Sequence, residues 1–178
     1  MRMCYQTDVW QIISKEEYKM IWDKIYDDFG FQPSIDASIK PFDFKIPFDI
    51  YDLKKSMVDW DNEDVYKIII NIFVECMVED EYMYALDWQH SCYRYNPRIR
   101  NLKDNPTFIH DENYLGGGYN AYFPEFYPNG DYFFFVAKDF SWGYLTHPWQ
   151  NKIWVYGDSL IPCLRKYSKQ IGLVHSSQ

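Results

Sequence analysis

Asp87-Trp88-Gln89-His90 places a carboxylate and an imidazole three residues apart. On a helix that spacing puts both groups on one face, where they could hold a single metal ion; on a strand they point to opposite faces. The surrounding alternation predicts a strand, so a metal site would need a bulge and further ligands, for which Asp131, His110 and His147 are the candidates. The expectation is therefore no metal and no cofactor, with His90 hydrogen-bonded to backbone at a strand end. Thr146-His147-Pro148-Trp149 is the second cluster. A proline-fixed turn between strands can fold His147 and Trp149 back over the sheet, either as a plug for the core or as an aromatic-walled pocket. In the pocket reading His147 serves as acid, base or hydrogen-bond donor near neutral pH.

Other chemistries find less support. Cys92 lies two residues from His90, but a nucleophile and its base usually come from different elements. Gly116-Gly117-Gly118 lacks the Gly-Lys-Ser/Thr ending of a phosphate loop and the spaced glycines of a dinucleotide fingerprint. No serine sits in a Gly-x-Ser-x-Gly elbow, and Cys4, Cys76, Cys92 and Cys163 show no zinc-site spacing. Cys76 and Cys163, each on a predicted helix, read as buried, inert thiols of a reducing cytoplasm.

The elements that must position these residues follow from local pattern. Ser14-Lys15-Glu16-Glu17 is a capping box, and Tyr18, Ile21, Trp22, Ile25 and Phe29 repeat at helical spacing up to Gly30, predicting a helix over 15–29 after a short strand at 9–13. Segment 31–60 is broken by Pro33, Pro41 and Pro47 and offers at best an edge strand over 44–51. Asp61-Asn62-Glu63-Asp64 opens a second helix, 62–77. Aromatic alternation then predicts strands at 82–88 and 91–95. After an irregular stretch, 96–119, comes a meander at 119–127, 132–137, 140–145 and 152–156, its first turn at Asn129-Gly130. A last helix follows over 159–171. Helices and antiparallel strands in this order predict an α+β fold: one domain, residues 1–178, with a meander sheet of four to six strands and helices mainly on one face.

Three segments carry a resemblance: Tyr84 to His90 continuing through Tyr93-Arg94-Tyr95-Asn96-Pro97, then Phe126 to Tyr132, then His147-Pro148-Trp149 with Val155-Tyr156-Gly157. They resemble the bacterial family catalogued as domain of unknown function 2716. The likeness extends to the Tyr18, Trp22 and Phe29 helix. It implies a single-domain bacterial protein and no transferable activity, cofactor or catalytic residue. Its matching positions mark the expected ligand-binding region as Asp87, Trp88, His90, Tyr93, Asp131, His147 and Trp149.

Composition bounds the function. The chain has 178 residues, 47% hydrophobic and 21% aromatic, enough for a core without a disulfide or structural metal. No stretch reaches the ~18 apolar residues of a spanning helix, and the first eight residues do not read as a signal peptide, so the expectation is a soluble cytoplasmic protein with no membrane partner. Residues 1–90 hold 19 acidic against 9 basic side chains, a net −10; residues 91–178 hold 7 against 9, a net +2. The one local basic stripe, Arg94, Arg98, Arg100 and Lys103, makes nucleic acid an improbable partner. The leading expectation is a non-enzymatic interaction module, for example an immunity-type protein that binds a basic partner. The alternative is an enzyme or small-ligand binder using an Asp/His/Trp pocket at one end of the sheet.

Overall fold

Phe133–Ala137 forms a strand, β7, in which all five residues are buried. Successive side chains of a strand point to opposite faces, so such a strand needs cover on both sides. The computed structural model describes residues 9–79, 81–99 and 108–176. Its main sheet has eight strands: β1 (Trp10–Ile12), β2 (Phe48–Leu53), β3 (Met83–Asp87), β4 (Tyr93–Tyr95), β7, β8 (Gly143–His147), β9 (Lys152–Tyr156) and β10 (Leu173–His175). Their order is β1-β4-β3-β7-β8-β9-β2-β10, with every neighbouring pair antiparallel. A separate hairpin consists of β5 (Phe108–Asp111) and β6 (Tyr119–Tyr122). The fold is α+β, as the element order predicts.

Among the described residues, two of the three α-helices share one face. Val65, Ile69 and Phe73 of α2 (Glu63–Cys76) and Leu160 and Leu164 of α3 (Leu160–Tyr167) pack with Ala85, Phe135, Tyr144 and Val155. The opposite face receives Ile21, Trp22, Ile25 and Phe29 of α1 (Lys15–Phe29), extended by Phe31, Phe42 and Phe44; these meet Tyr84, Leu86, Phe134 and Val136. The proline-broken segment is thus part of the cover, and rings such as Phe31 and Phe134, 5.0 Å apart and edge to face, hold it there.

Local signals place the helix starts. The Glu17 amide donates to Ser14 Oγ (3.1 Å) and the Asp64 amide to Asn62 Oδ1 (2.9 Å), each satisfying an otherwise orphaned donor. Gly30 ends α1 at φ 60°, in the left-handed region. The reciprocal half of the Ser14 box is absent: the Glu17 carboxylate accepts two bonds from Arg94 (2.9 Å each) and one from the Tyr84 hydroxyl (2.9 Å), tying α1 to the sheet. Asp49, 4% exposed, performs the same service for α3, accepting two 2.7 Å bonds from Arg165 that hold its carboxyl below the usual range.

Long-range pairing overturns several expectations. The main sheet holds eight strands rather than four to six, because short β1 and β10 are added at its edges. Strand β2 starts at Phe48 and lies between β9 and β10, so it is interior rather than an edge. The 119–127 segment pairs with β5 instead of joining the meander, and Asn129-Gly130 is a bend rather than a hairpin turn. Cys4, Arg100 and Lys103 lie outside the described residues.

Phe73 joins α2 to the sheet, stacking near Phe135 (5.6 Å) and Trp142 (5.8 Å) at 0% exposure. Phe73→Ala should destabilise the fold by roughly 3 to 5 kcal/mol in equilibrium urea unfolding. A loss under about 1 kcal/mol would contradict this packing.

Candidate functional site

The site is built where β3 ends and β7 begins. Asp87, the last residue of β3, pairs with Phe133, the first of β7. The chain then turns: the His90 amide donates to the Asp87 carbonyl (3.1 Å) and Gln89 takes φ 65°, uncommon for a residue with a Cβ. The Trp88 amide donates to the Tyr132 carbonyl (3.1 Å), so this turn is fastened to the segment that carries Asp131. The Tyr114 hydroxyl donates to the Gln89 carbonyl (3.3 Å) from the loop preceding β6.

The result is a triad that the expectation of opposite faces does not allow. His90 Nδ1 lies 2.9 Å from Asp87 Oδ1 and 3.2 Å from Asp131 Oδ2. His90 is beyond the strand, and the turn folds its ring back over Asp87, so neither a helix nor a bulge is needed. Asp131 is oriented by its own neighbour, with Oδ1 accepting from the Tyr132 amide at 2.8 Å. The Asp87 side chain is 14% exposed, and burial, helped by the Asp131 charge and opposed by His90, pushes its carboxyl up to about 7. Burial disfavours the His90 imidazolium, yet the two carboxylates outweigh it and its pKa is raised. The ring faces Tyr114 and Tyr119, both 6.4 Å away. An imidazole held through Nδ1 by carboxylates is oriented to exchange a proton through Nε2. The same three groups also offer one nitrogen and two oxygens to a metal ion, all within 4.8 Å of one another.

Asp131 also lines a cleft of about 280 Å³ whose other walls include Trp88, Trp149, Ile35 and Tyr132. Trp88 is fixed by an Nε1–H bond to the Tyr26 hydroxyl (2.9 Å). Tyr132 is fixed through its hydroxyl, which donates to the Ser34 carbonyl (2.8 Å) and accepts from the Ser34 amide (2.9 Å).

His147 stands at the same end of the sheet, since β3 and β8 both flank β7 antiparallel and so run parallel to each other. It is nevertheless absent from the cleft. The residue is 0% exposed, its Nδ1 accepts from the Gln150 amide (3.1 Å), and its ring meets Tyr132 edge-on at 5.0 Å. Burial lowers its pKa to about 4. His147 therefore plugs the core and pins the turn; the acid-base reading does not hold for it. Tyr93 is also withdrawn from the site: it is 0% exposed in the core on the α2 side, its hydroxyl donating to the Tyr122 carbonyl (3.4 Å). Cys92 is buried, its thiol pushed up to about 12 by desolvation, which rules against a resting thiolate.

A second concavity, of about 660 Å³, runs between α2 and the β1 edge and is lined by Trp10, Tyr66, Ile70, Tyr95 and Phe123, with Asp61 and Glu63 beside them. Trp10 is sandwiched between Tyr95 and Phe123, each 4.1 Å away. Sequence reasoning missed this groove because it joins residues 9–10, 61–71, 95–99 and 123–126. The two described members of the expected basic stripe are engaged by the fold itself. Arg94 is clamped by Glu17, and Arg98 donates to the carbonyls of Met77 (3.1 Å), Val78 (2.9 Å) and Glu81 (3.3 Å).

A family model described as a protein of unknown function, DUF2716, matches residues 12–161, from the end of β1 into α3. The chain belongs to this family. The uncharacterized protein YxiI of Bacillus subtilis (strain 168) is 28% identical over 164 residues, which cover 87% of this chain and 91% of that protein. No solved structure matches the chain. The DUF2716 match includes the whole triad and both tryptophans of the cleft. Among the described residues, no helix of this DUF2716 protein is long and apolar enough to cross a membrane.

The buried His147 sets a pH dependence whose sign is fixed. Below its ordinary value of 6.5 the unfolded chain takes up a proton that the folded ring refuses down to about 4. The contribution is present above 6.5 and is lost as pH falls through 4, by up to about 3 kcal/mol. Denaturant unfolding at about pH 7 and about pH 4.5 should show a smaller acid-induced loss for His147→Gln than for the wild type, since Gln cannot titrate. Equal losses would assign the acid sensitivity to other groups.

Proposed function

We propose that this DUF2716 protein is a cytoplasmic interaction module that docks a basic partner, by an apolar anchor, in the groove between α2 and the β1 edge. The observation that carries this reading is the groove itself: a wall of aromatic rings beside an acidic helix start. Lys67, also in the lining, is held by Asp64 (3.1 Å) and Glu63 (3.8 Å), so Asp61, Glu63 and Asp64 outweigh it. Rings supply contact area at low entropic cost, and the carboxylates, with the −10 balance of residues 1–90, raise the encounter rate of a cation. Neutralisation of a basic toxin is one form such binding takes.

A second reading, a small-ligand binder or enzyme at the other site, is favoured by the convergence of Asp87, His90 and Asp131 beside the Trp88 and Trp149 cleft.

Fluorescence anisotropy with a Lys/Arg-rich peptide carrying one Trp or Leu anchor tests the first reading against an acidic peptide of equal hydrophobicity. The basic peptide should bind preferentially, with affinity falling about tenfold or more in Glu63→Lys and Tyr66→Ala and falling with added salt, whose screening length is about 8 Å at 0.15 M. Equal binding of both peptides, or indifference to both substitutions, would contradict the proposal. For the second reading, NMR titration with a small-metabolite panel should perturb the Trp88 and Trp149 indole signals, and Trp149→Ala should abolish that response.

A further inference from the structure

The triad's donor set and spacing point beyond proton exchange. We propose that Asp87, His90 and Asp131 form the coordination site of a divalent transition-metal ion; this deepens the second reading above and rests on it. The donors come from two chain segments, and their ligand atoms lie within 4.8 Å of one another. An ion with bond lengths of about 2.1 Å holds adjacent donors about 3.0 Å apart in an octahedral sphere and about 3.4 Å apart in a tetrahedral one. His90 Nδ1 already stands 2.9 and 3.2 Å from the two carboxylate oxygens. Replacing the proton on Nδ1 by a metal therefore requires little movement of the donors: the Nδ1 proton leaves to solvent, Nε2 keeps or takes up one proton from solvent so that the ring stays neutral, and the freed Nδ1 lone pair faces the ion.

The surroundings hold this arrangement in both halves. Asp131 is fixed through Oδ1 by the Tyr132 amide, which leaves Oδ2 toward His90. The Trp88–His90 turn is fixed by the Trp88 and His90 amides and by the Tyr114 hydroxyl. Such outer contacts orient ligands before the ion arrives. With a neutral imidazole the site holds two partly buried carboxylates, 14% and 25% exposed, whose charge a dication cancels.

One imidazole nitrogen with two carboxylate oxygens suits Mn²⁺, Fe²⁺, Co²⁺, Ni²⁺ or Zn²⁺; Ca²⁺ prefers six to eight oxygens, and Cu⁺ prefers sulfur. Three protein ligands leave positions for water or for an oxygen of a bound molecule. Because Asp131 is shared with the cleft, a ligand lying between Trp88 and Trp149 would reach the ion through an oxygen.

The test is titration of the full chain, after chelator treatment, with Co²⁺ followed by its visible absorption and with Mn²⁺ followed by electron paramagnetic resonance, Ca²⁺ serving as the comparison ion. One equivalent of Co²⁺ and of Mn²⁺ should bind, with at least tenfold weaker binding in Asp131→Asn and His90→Gln. Both substitutions keep hydrogen-bonding capacity, and circular dichroism would verify that the variants fold. Failure of Co²⁺ and Mn²⁺ to bind stoichiometrically would overturn the proposal, as would binding unchanged in both variants or an equal preference for Ca²⁺. A metabolite response at Trp88 and Trp149 without metal binding would sink the metal proposal while leaving the second reading standing.

Discussion

A strand buried on both faces is the constraint from which this architecture follows. Phe133–Ala137 has no solvent side, so the chain must place cover above and below it. Two helices supply one layer; α1 and the ring-rich segment 31–44 supply the other. Because the central strand is sealed laterally by β3 and β8, polar chemistry is pushed to its ends, where strands stop and the backbone turns. Asp87 and Asp131 occupy one such end, adjacent through the pairing of Asp87 with Phe133.

That end is asymmetric in depth. His147 ends β8 inside the core and is held neutral against Tyr132, whereas His90 lies in the turn after β3 and meets two partly buried carboxylates. Tyr132 separates them, presenting one side to His147 while also lining the tryptophan cleft. Two histidines thus receive opposite roles from their surroundings: burial lowers the proton affinity of His147, whereas at His90 the two carboxylates outweigh burial and raise it. The aromatic groove along α2 is lined by other residues, so it is spatially separate from the polar site.

Features set by short-range chemistry were legible in the sequence. Ser14 and Asn62 start helices where their side chains can accept amide bonds, and Trp22, Ile25, Ile69, Phe73, Leu86, Phe134, Val136 and Val155 are buried as their periodicity requires. Features set by distant partners were not. The Glu17 carboxylate leaves its capping box because Arg94 offers a charged, two-pronged alternative. Asn129-Gly130 has strong turn chemistry, but the hairpin it suggested is absent because β6 pairs with β5. Asp87, Trp88, His90, Asp131 and Trp149 were singled out by residue type. Their convergence depends on Gln89 adopting positive φ and on one amide bond from Trp88 to Tyr132, neither of which leaves a mark in spacing. Spacing left His147 between a core plug and a pocket wall, and only the burial of its end of β8 places it in the core.

His90 is gripped through Nδ1 by two carboxylates from separate segments, and the polar site depends on that grip. Long-range ¹H–¹⁵N correlation of the imidazole nitrogens in the metal-free protein measures this directly, with Asp131→Asn as the comparison. His90 should carry its proton on Nδ1 when neutral, its titration midpoint should lie above that of an ordinary histidine, and Asp131→Asn should lower the midpoint. A His90 that is protonated on Nε2 when neutral, or that titrates identically with and without the Asp131 charge, would contradict it.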